Sequence, residues 1–452
     1  MTVAESRDTG NYYLASFESH ERELASVGSA AVHQLREDAI ARFANQGFPG
    51  PRDEEWRFTP LAPLLKVPFE LGPTPGGKPT ELFRQANLGH PTGTSLLCLN
   101  GVAPCVLEHS QPLPEGVIVC GLADALQNHA ELVEPYLART NYDGQVFTAL
   151  NTAFLRDGAL VYVPAGKVIE GPIFLRFITS AIGATPFVWH RRSLIVVGDH
   201  AQATVVESYE SSDLDGVSYF TNAVTEIIAG KHAVVDHYKL QREGTDGSHM
   251  ATTQVQLGRA ANFSSHAISL GASWARNEVN AVFADEGGEC TLNGLYQANG
   301  RQVIDNHTFI DHAFPRCVSH ELYKGILDGK ARGVFNGKIY VRQDAQKTDA
   351  KQTNQALLLS DDATINTKPQ LEIYADDVKC THGATVGQLD AESIFYLRSR
   401  GIGAEQARSL LTYAFANDVI GRIKVDSLRE QLEQTFLTAQ HLPRAESPEE
   451  RS

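Results

Sequence analysis

Short segments of alternating hydrophobic and polar residues fill the middle of the chain. From about residue 159 to about residue 386, stretches such as SLIVVGDHAQATVVESYE and HAVVDHYKLQ are rich in Val, Ile, Thr and aromatic residues. Alternation with a period of two predicts strands with one buried face. Small turns such as GDHA, AGKHA, GRAANF, DGKAR and SDDA recur at intervals of roughly 30 residues, a period that is typical of solenoids and repeat arrays.

The segments between these strands limit how the strands can be arranged. No long helical segment interrupts the run, so a doubly wound sheet with helices between its strands is disfavoured. A stacked β-helix or an elongated β-sandwich remains. The β-helix is favoured because so many strands follow one another with few long connections.

Helical spacing replaces the alternation on both sides of the strands. Residues 11 to about 46 predict a helix. After the strands, Asp390 is a predicted N-cap and Gly401 a predicted stop, and GAEQARSLLTYAFANDVIGRI and SLREQLEQTFLTAQHL predict two amphipathic helices. The predicted fold class is mainly β, in three regions: an N-terminal helical and mixed region (1–155), a β-helix core (156–388) and a C-terminal helical domain (389–452).

Composition and charge limit the classes of function. The chain has 452 residues, 42% of them hydrophobic, and a formal charge of −15. This charge argues against nucleic acid or an anionic membrane surface as the main partner. No apolar stretch reaches the roughly 18 residues of a membrane-spanning helix, and no secretory signal is visible at the N-terminus. The six cysteines form no CxxC pair and are expected to be reduced, so the predicted location is the cytoplasm.

The stretch DDVKCTHGATVG contains the first candidate site. In an extended chain Cys380 and His382 point to the same side. The plainest interpretation is a half-buried cysteine beside a surface histidine. A catalytic Cys–His pair lacks an orienting third group nearby. A metal site would need further ligands from elsewhere, and if these came from another chain the site would lie at an interface.

A second group of residues that could bind a metal follows VIDNHTFIDHAFPRCVSHELY. It contains His307, His312, Cys317 and His320. Strand parity places His307 and His312 on opposite faces, so one flat strand cannot present both to a metal. Histidines in turns and loops of a stacked sheet are the favoured interpretation, with a metal-binding tract as the alternative.

Three adjacent carboxylates and a missing motif complete the chemical survey. Asp53, Glu54 and Glu55 precede Trp56, and neighbouring carboxylates on a charged turn seldom flank a cleft, so a solvated turn beside a packed Trp is favoured. No GxxxxGK[ST] motif is present, so the chain does not bind ATP through a P-loop of its own.

Several longer stretches resemble one family. SHELYKGIL (319–327), the segment from GVFNGKIYV to CTHGATVG (333–387), FYLRSRGI (395–402) and DEEWRFTPL near the N-terminus are similar to SufD-type members of the SufB/SufD family of iron–sulfur cluster assembly proteins. The resemblance covers most of the chain and is densest from about 300 to 420. It implies an N-terminal helical region, a right-handed parallel β-helix core and a C-terminal helical domain.

The resemblance also implies partners. SufD-like chains pair with a SufB-like scaffold subunit as a heterodimer through the β-helix, and bind a SufC-like ABC ATPase through the C-terminal helical domain. The assembly builds nascent iron–sulfur clusters, with ATP hydrolysis in the ATPase, so this chain is expected to be a non-catalytic scaffold subunit. A homodimer of this chain alone is a further option.

The resemblance finally implies a site. SufB members carry a cysteine at the position of Gln355, and a His-Glu-Ala motif where this chain has His382, Gly383 and Ala384; both departures fit SufD. By resemblance, His382 lies at the SufB interface, where an iron–sulfur cluster is held transiently, and no cofactor is tightly bound by this chain alone. Cys380 is a second candidate metal ligand, with packing alone as its other interpretation. The alternatives are a purely structural subunit of the complex with no ligand role and, from another class, a β-helix enzyme acting on polysaccharides.

Overall fold

The chain folds around a β-solenoid. A computed structural model describes residues 3–24, 27–50, 52–72, 93–101, 104–106, 112–139, 145–180, 184–212 and 216–439. About seven solenoid turns lie between N-terminal and C-terminal helices. Of the described residues 43% are in strands and 25% in helices, so the fold is mainly β, which confirms the predicted fold class. The limits predicted for the three regions stay predictions, and their parts at 73–92 and 440–452 lie outside the described residues.

The described part of the chain contains twenty strands. The first four are short: β1 Glu70–Leu71, β2 Thr94–Leu99, β3 Cys105–Val106 and β4 Ile118–Gly121. The solenoid strands are β5 Gly158–Val163, β6 Ile173–Ser180, β7 Phe187–Val197, β8 Gln202–Ser212, β9 Tyr219–Ala229, β10 Val234–Arg242, β11 Gly247–Leu257, β12 Asn262–Ser269, β13 Trp274–Phe283, β14 Glu289–Ala298, β15 Val303–His312, β16 Val318–Leu327, β17 Arg332–Val341, β18 Asp349–Leu358, β19 Thr364–Ile373 and β20 Lys379–Gly387.

The solenoid strands form two parallel sheets around a common core. The odd-numbered strands follow one another from β5 to β19 in the first sheet, and the even-numbered strands from β6 to β20 in the second. Each strand therefore pairs in parallel with the strand two further along the chain. Successive strands alternate between the sheets, so apolar side chains of both sheets meet in one interior cluster.

In-register stacking aligns the inward side chains of neighbouring strands. In the second sheet Val235, Phe263, Cys290, Ser319 and Ala350 are successive register partners, and all five are buried. Side chains alternate between the two faces of a strand, so every second residue of each strand lies in an interior column of this kind. The alternation in the sequence is thus the alternation between this core and the outer faces.

The turns between strands stack closely, which explains why glycine recurs at one position of successive turns. Gly198, Gly230 and Gly258 follow successive strands of the first sheet. A β-carbon at Gly230 would lie 2.8 Å from the carbonyl carbon of Gly198, and one at Gly258 would lie 3.0 Å from that of Gly230, too close for a side chain. His200 and His232, two residues beyond the first two glycines, have positive φ angles and stack with ring centres 4.8 Å apart.

The N-terminal region packs on the first sheet. Its helices are α1 Val3–Glu23, α2 Ala30–Gln46, α3 Ala62–Leu65, α4 Leu122–Asn128, α5 Ala130–Val133 and α6 Val146–Ala153. Phe43, Trp56 and Phe147 share an apolar cluster with the sheet residues Phe220 and Trp274. Both sheets begin before residue 156, because β2 pairs in parallel with β6 and β4 pairs antiparallel with β5.

The single N-terminal helix predicted over 11–46 is wrong. Two helices are present, and the second begins where the Ser29 hydroxyl accepts a hydrogen bond from the Ala31 amide at 3.2 Å. Gly28 precedes it with a φ of 93°, which a residue with a β-carbon rarely adopts. A capping serine after a glycine therefore starts a new helix.

The C-terminal region consists of α7 Ala391–Ser399, α8 Ala404–Ile420 and α9 Asp426–Ala439. Helices α8 and α9 share an apolar cluster with the second sheet, whereas α7 buries no residue. The predicted cap is confirmed, since the Asp390 carboxylate accepts a hydrogen bond from the Ser393 amide at 2.8 Å. The helix stops before Gly401, as predicted. Among the described helices none is long and apolar enough to cross a membrane.

Candidate functional site at the open end of the solenoid

The solenoid ends in two strands that each have a neighbour on one side only. Strand β19 pairs with β17 and β20 pairs with β18, and the other edge of each is unpaired within the described residues. We call this end, formed by β19 and β20, the open end. No residue of β20 is buried, whereas half or more of the residues in each of β14 to β17 are. A strand edge with free N–H and C=O groups is ready to pair with another chain.

His382 lies in the middle of this exposed end strand. It is the register partner of Gln352, which is in turn the partner of Glu321. Gln352 and Glu321 are buried, so His382 continues an interior column and is exposed because no further turn covers it. The fold thus presents one imidazole at the surface where the interior of the solenoid opens.

The side chain of Cys380 has different surroundings. It is half-buried and packs against a small apolar cluster that includes Ile339, Val341 and Ala350. Burial, together with the nearby charge of Asp349, raises the pKa of the Cys380 thiol. Because the thiolate is the form that binds metals, this environment disfavours metal binding by Cys380.

Exposed apolar side chains are frequent in and shortly after the last two strands. Large hydrophobic residues exposed to solvent are concentrated at the end of β19, on β20 and on α7: Ile373, Tyr374, Val386, Phe395 and Tyr396. Phe395 is the most exposed of them, at 73%. Apolar side chains next to free strand edges form a surface suited to a protein partner.

Beneath His382 the interior is polar. The Gln352 side-chain nitrogen Nε2 donates a hydrogen bond to Glu321 Oε2 at 2.8 Å. Burial raises the pKa of the Glu321 carboxyl to about 7. A β-carbon at Gly337, on the opposite sheet, would overlap with the Gln352 amide, so this glycine leaves the space that the amide fills.

The second histidine group does not come together as a metal site. His307 lies on the outer face of β15, with Nε2 3.0 Å from Asp305 Oδ1, whereas His312 is buried and bonds through Nε2 to the Ser319 hydroxyl at 2.9 Å. The parity argument is confirmed, but the turn and loop interpretation is wrong for these histidines, because they and His320 lie in strands. No group of three or more His, Cys, Asp and Glu residues in the described ranges is placed to hold a metal ion.

The turn at Glu54–Trp56 exposes its carboxylates beside a buried Trp56, as predicted, and contacts with the first sheet anchor it as well. Glu55 Oε2 accepts a hydrogen bond from Asn336 at 2.8 Å, and the guanidinium of Arg276 lies over the Trp56 ring at 3.8 Å. Burial alone would lower the pKa of His307, but the Asp305 carboxylate outweighs it and the net shift is upward, which favours a charged contact with Glu55. The turn therefore fastens the N-terminal region to the first sheet, a role that local sequence did not indicate.

A network of buried ionisable groups inside the solenoid was also missed. His237 Nε2 lies 3.0 Å from Glu207, and His249 Nδ1 lies 2.6 Å from Glu243. Lys239 is buried and interacts with the charges of both glutamates; its Nζ lies 2.8 Å from the His249 ring, and burial lowers the pKa of Lys239 to about 7. The only signal in the sequence is the presence of charged residues at inward positions of strands that are otherwise apolar.

A parallel solenoid between helical regions, with one exposed histidine on its last strand, is the architecture implied above for the family. The family model described as "SUF system FeS cluster assembly, SufBD core domain" matches residues 177–415. The model described as "SufBD protein N-terminal region" matches residues 7–175. The chain therefore belongs to the SufBD family of the SUF iron–sulfur cluster assembly system.

Curated relatives support this assignment over nearly the whole chain. The chain is 35% identical over 431 residues to an iron–sulfur cluster assembly SufBD family protein of Synechocystis, covering 92% of this chain and 94% of the relative. It is 32% identical over 399 residues to the iron–sulfur cluster assembly protein SufD of Escherichia coli, covering 87% and 89%. It is 29% identical over 431 residues to a protein of Arabidopsis thaliana named ABCI7, chloroplastic, covering 93% and 89%.

Proposed function

We propose that this chain is a SufD-like scaffold subunit that pairs through its open end with a SufB-like subunit and contributes His382 to an iron–sulfur cluster formed transiently at that interface. The observation that carries the proposal is the exposure of His382 in the middle of an end strand whose outer edge is unpaired, among exposed apolar side chains. A second solenoid docked there could add its strands to both sheets and cover the apolar residues.

The chemistry of the site requires ligands from both chains. Iron–sulfur clusters are held mostly by thiolates, and imidazole replaces thiolate on some irons. Neutral imidazole is a borderline ligand that suits iron. His382 would supply one such ligand, and the partner subunit would supply the rest. Cys380 is expected to pack rather than ligate.

The C-terminal helices are the proposed docking site for a SufC-like ABC ATPase. Helices α8 and α9 are fastened to the second sheet, partly through Lys424 Nζ, 2.8 Å from Asp236 Oδ1. Helix α7 instead presents Phe395 and Tyr396 to solvent. ATP hydrolysis is assigned to the ATPase, the present chain is assigned no catalytic step, and the proposed location is the cytoplasm.

The experiment is anaerobic co-expression with SufB-like and SufC-like partners, comparing wild type with His382→Ala. Iron and sulfide per complex are measured after size exclusion establishes that the assembly is intact. We expect cluster content to fall to background in His382→Ala, because an apolar methyl replaces a ligand. The matched control is His320→Ala, which removes a histidine from the other face of the same sheet and should leave iron and sulfide unchanged.

Unchanged iron and sulfide in an intact His382→Ala complex would contradict the ligand role. The chain would then be a structural subunit whose partner supplies every ligand. Loss of the complex itself in His382→Ala but not in His320→Ala would instead assign His382 to docking.

A further inference from the structure

Three polar side chains form a column that leads from the interior to His382. Glu321, Gln352 and His382 occupy successive register positions on β16, β18 and β20. Paired strands lie about 4.8 Å apart, so side chains in register on one face lie against each other. Gln352 is only 1% exposed although it is one strand away from the open end.

The orientation of the Gln352 amide follows from its hydrogen bond. At alkaline pH, where the Glu321 carboxyl is ionised, its oxygens only accept, so the amide turns its NH₂ group, through Nε2, toward Glu321. The carbonyl oxygen Oε1 is then the terminal atom of the amide that does not face Glu321. This oxygen is shut off from solvent and has no hydrogen-bond partner within the described part of the chain.

A buried carbonyl oxygen without a hydrogen-bond donor destabilises the folded state. The next residue in register with Gln352 is His382. Leaving a buried acceptor unpaired forfeits its interaction with water without replacing it. In the structure the His382 imidazole makes no hydrogen bond to another described residue, Gln352 Oε1 included. Because it is exposed, it can turn about its side-chain torsions and bring a ring N–H to that oxygen. Gly337, on the opposite sheet, has no side chain that would displace the Gln352 amide from its position next to His382.

We propose that Gln352 is a positioning residue for His382: Gln352 Oε1 accepts a hydrogen bond from one ring nitrogen of His382, which fixes the tautomer of the imidazole. The other nitrogen then keeps its lone pair and is directed away from the solenoid interior. Histidines that bind metals usually donate their second nitrogen to a carbonyl or carboxylate in this way. The use of that lone pair for iron rests on the function proposed above, but the hydrogen bond does not.

The test measures the tautomer of His382 in the full chain without partners, at a concentration at which the chain is monomeric. Histidine-selective ¹⁵N spectra at alkaline pH, where imidazoles are neutral, distinguish the two ring nitrogens of each residue. The His382 signals are assigned by their absence in His382→Asn. In wild type we expect one tautomer, with one nitrogen protonated and the other not. In Gln352→Met, which keeps the length of the side chain and removes the acceptor, we expect averaged signals from both tautomers.

The control is Gln355→Met on the same strand. Gln355 lies in register with Thr385, on the opposite face from Gln352, so its loss should leave the single tautomer of His382 in place. A mixture of tautomers in wild type would overturn the proposal. So would a single tautomer that survives in a folded Gln352→Met variant.

A second measurement separates this inference from the proposed function. In the co-expressed complex we expect Gln352→Met to weaken iron binding by about 10- to 100-fold, the usual effect of removing such a supporting hydrogen bond. If the tautomer is lost in Gln352→Met while His382→Ala retains full iron and sulfide, the positioning inference stands and the ligand role of His382 fails.

Discussion

Cys380 and His382 point to the same face of β20 but meet different surroundings. Cys380 is next to the turn that leads into the strand, where Ile339 and Ala350 still cover it. His382 lies two residues further along, where the inward face is uncovered. At the residue scale, the position of each residue along the last strand therefore decides which of the two neighbouring side chains is accessible.

Glu321 gives the stability of the protein a testable dependence on pH. Its carboxyl has a pKa of about 7 against an ordinary value of 4.5, because burial penalises the charged form. The native state therefore holds a proton that the unfolded chain releases, so this residue makes stability fall as the pH rises from 4.5 through 7. The penalty at pH 8 is on the order of 3 kcal/mol at 1.36 kcal/mol per pKa unit. We expect Glu321→Gln to be more stable than wild type at pH 8 by up to that order and to gain little at pH 5.

Urea unfolding at both pH values measures this difference. Glu289→Gln is a suitable control, because Glu289 is exposed at the start of the neighbouring strand β14. A gain in stability for Glu321→Gln that is the same at pH 5 and pH 8 would show that Glu321 is not held protonated by burial.

At the element scale, the strands were predictable, but most of the contacts that they make with distant parts of the chain were not. Alternation and the spacing of the turns are local properties, so they predicted the strands, the solenoid and the cap at Asp390. The contact of Glu55 with Asn336 joins residues 281 positions apart, and nothing local marks either residue for the other. The break before Ser29 was missed because apolar spacing continues across it.

The candidate site was predictable to the same extent. Parity placed Cys380 and His382 on one face, but the exposure of His382 and the partial burial of Cys380 depend on where the stack of strands ends. The identity of Gln352 as the neighbour of His382 depends on register between strands, which a single strand does not encode.

Helix α7 is the element whose exposed side chains give a test of partner binding. We expect Phe395→Ser to reduce copurification of the SufC-like ATPase, because it removes the most exposed large apolar side chain from a helix with no buried residue. The chain's own stability should change little, since Phe395 packs against almost nothing. Affinity copurification with quantified band ratios measures the effect.

The control for this variant is Leu14→Ser in α1, an exposed apolar residue of the other helical region. Equal losses of ATPase in both variants would indicate a general effect on solubility. Undiminished ATPase with Phe395→Ser would assign the docking surface to another part of the molecule.

At the scale of the whole molecule, the open end is where we expect the chain to associate with itself when it is alone. We expect the chain alone to form a homodimer through β19 and β20, and Val386→Lys to shift it to monomer, since a lysine on an edge strand opposes further strand pairing. Size exclusion with light scattering measures the mass. Val168→Lys, at an exposed valine near the other end of the solenoid, should leave the dimer intact; a monomeric wild type, or dissociation by both variants, would contradict this interface.

Stacking each strand on only two neighbours has a mechanical consequence for the open end. In such a one-dimensional array the cost of opening is lowest at an uncapped terminus and rises inward, so backbone amides of β19 and β20 should exchange with solvent sooner than those of β11 or β13. A partner seated on β19 and β20 would turn the terminus into an interior position. The last turn, with His382 in it, would then become rigid in the same step that completes the site.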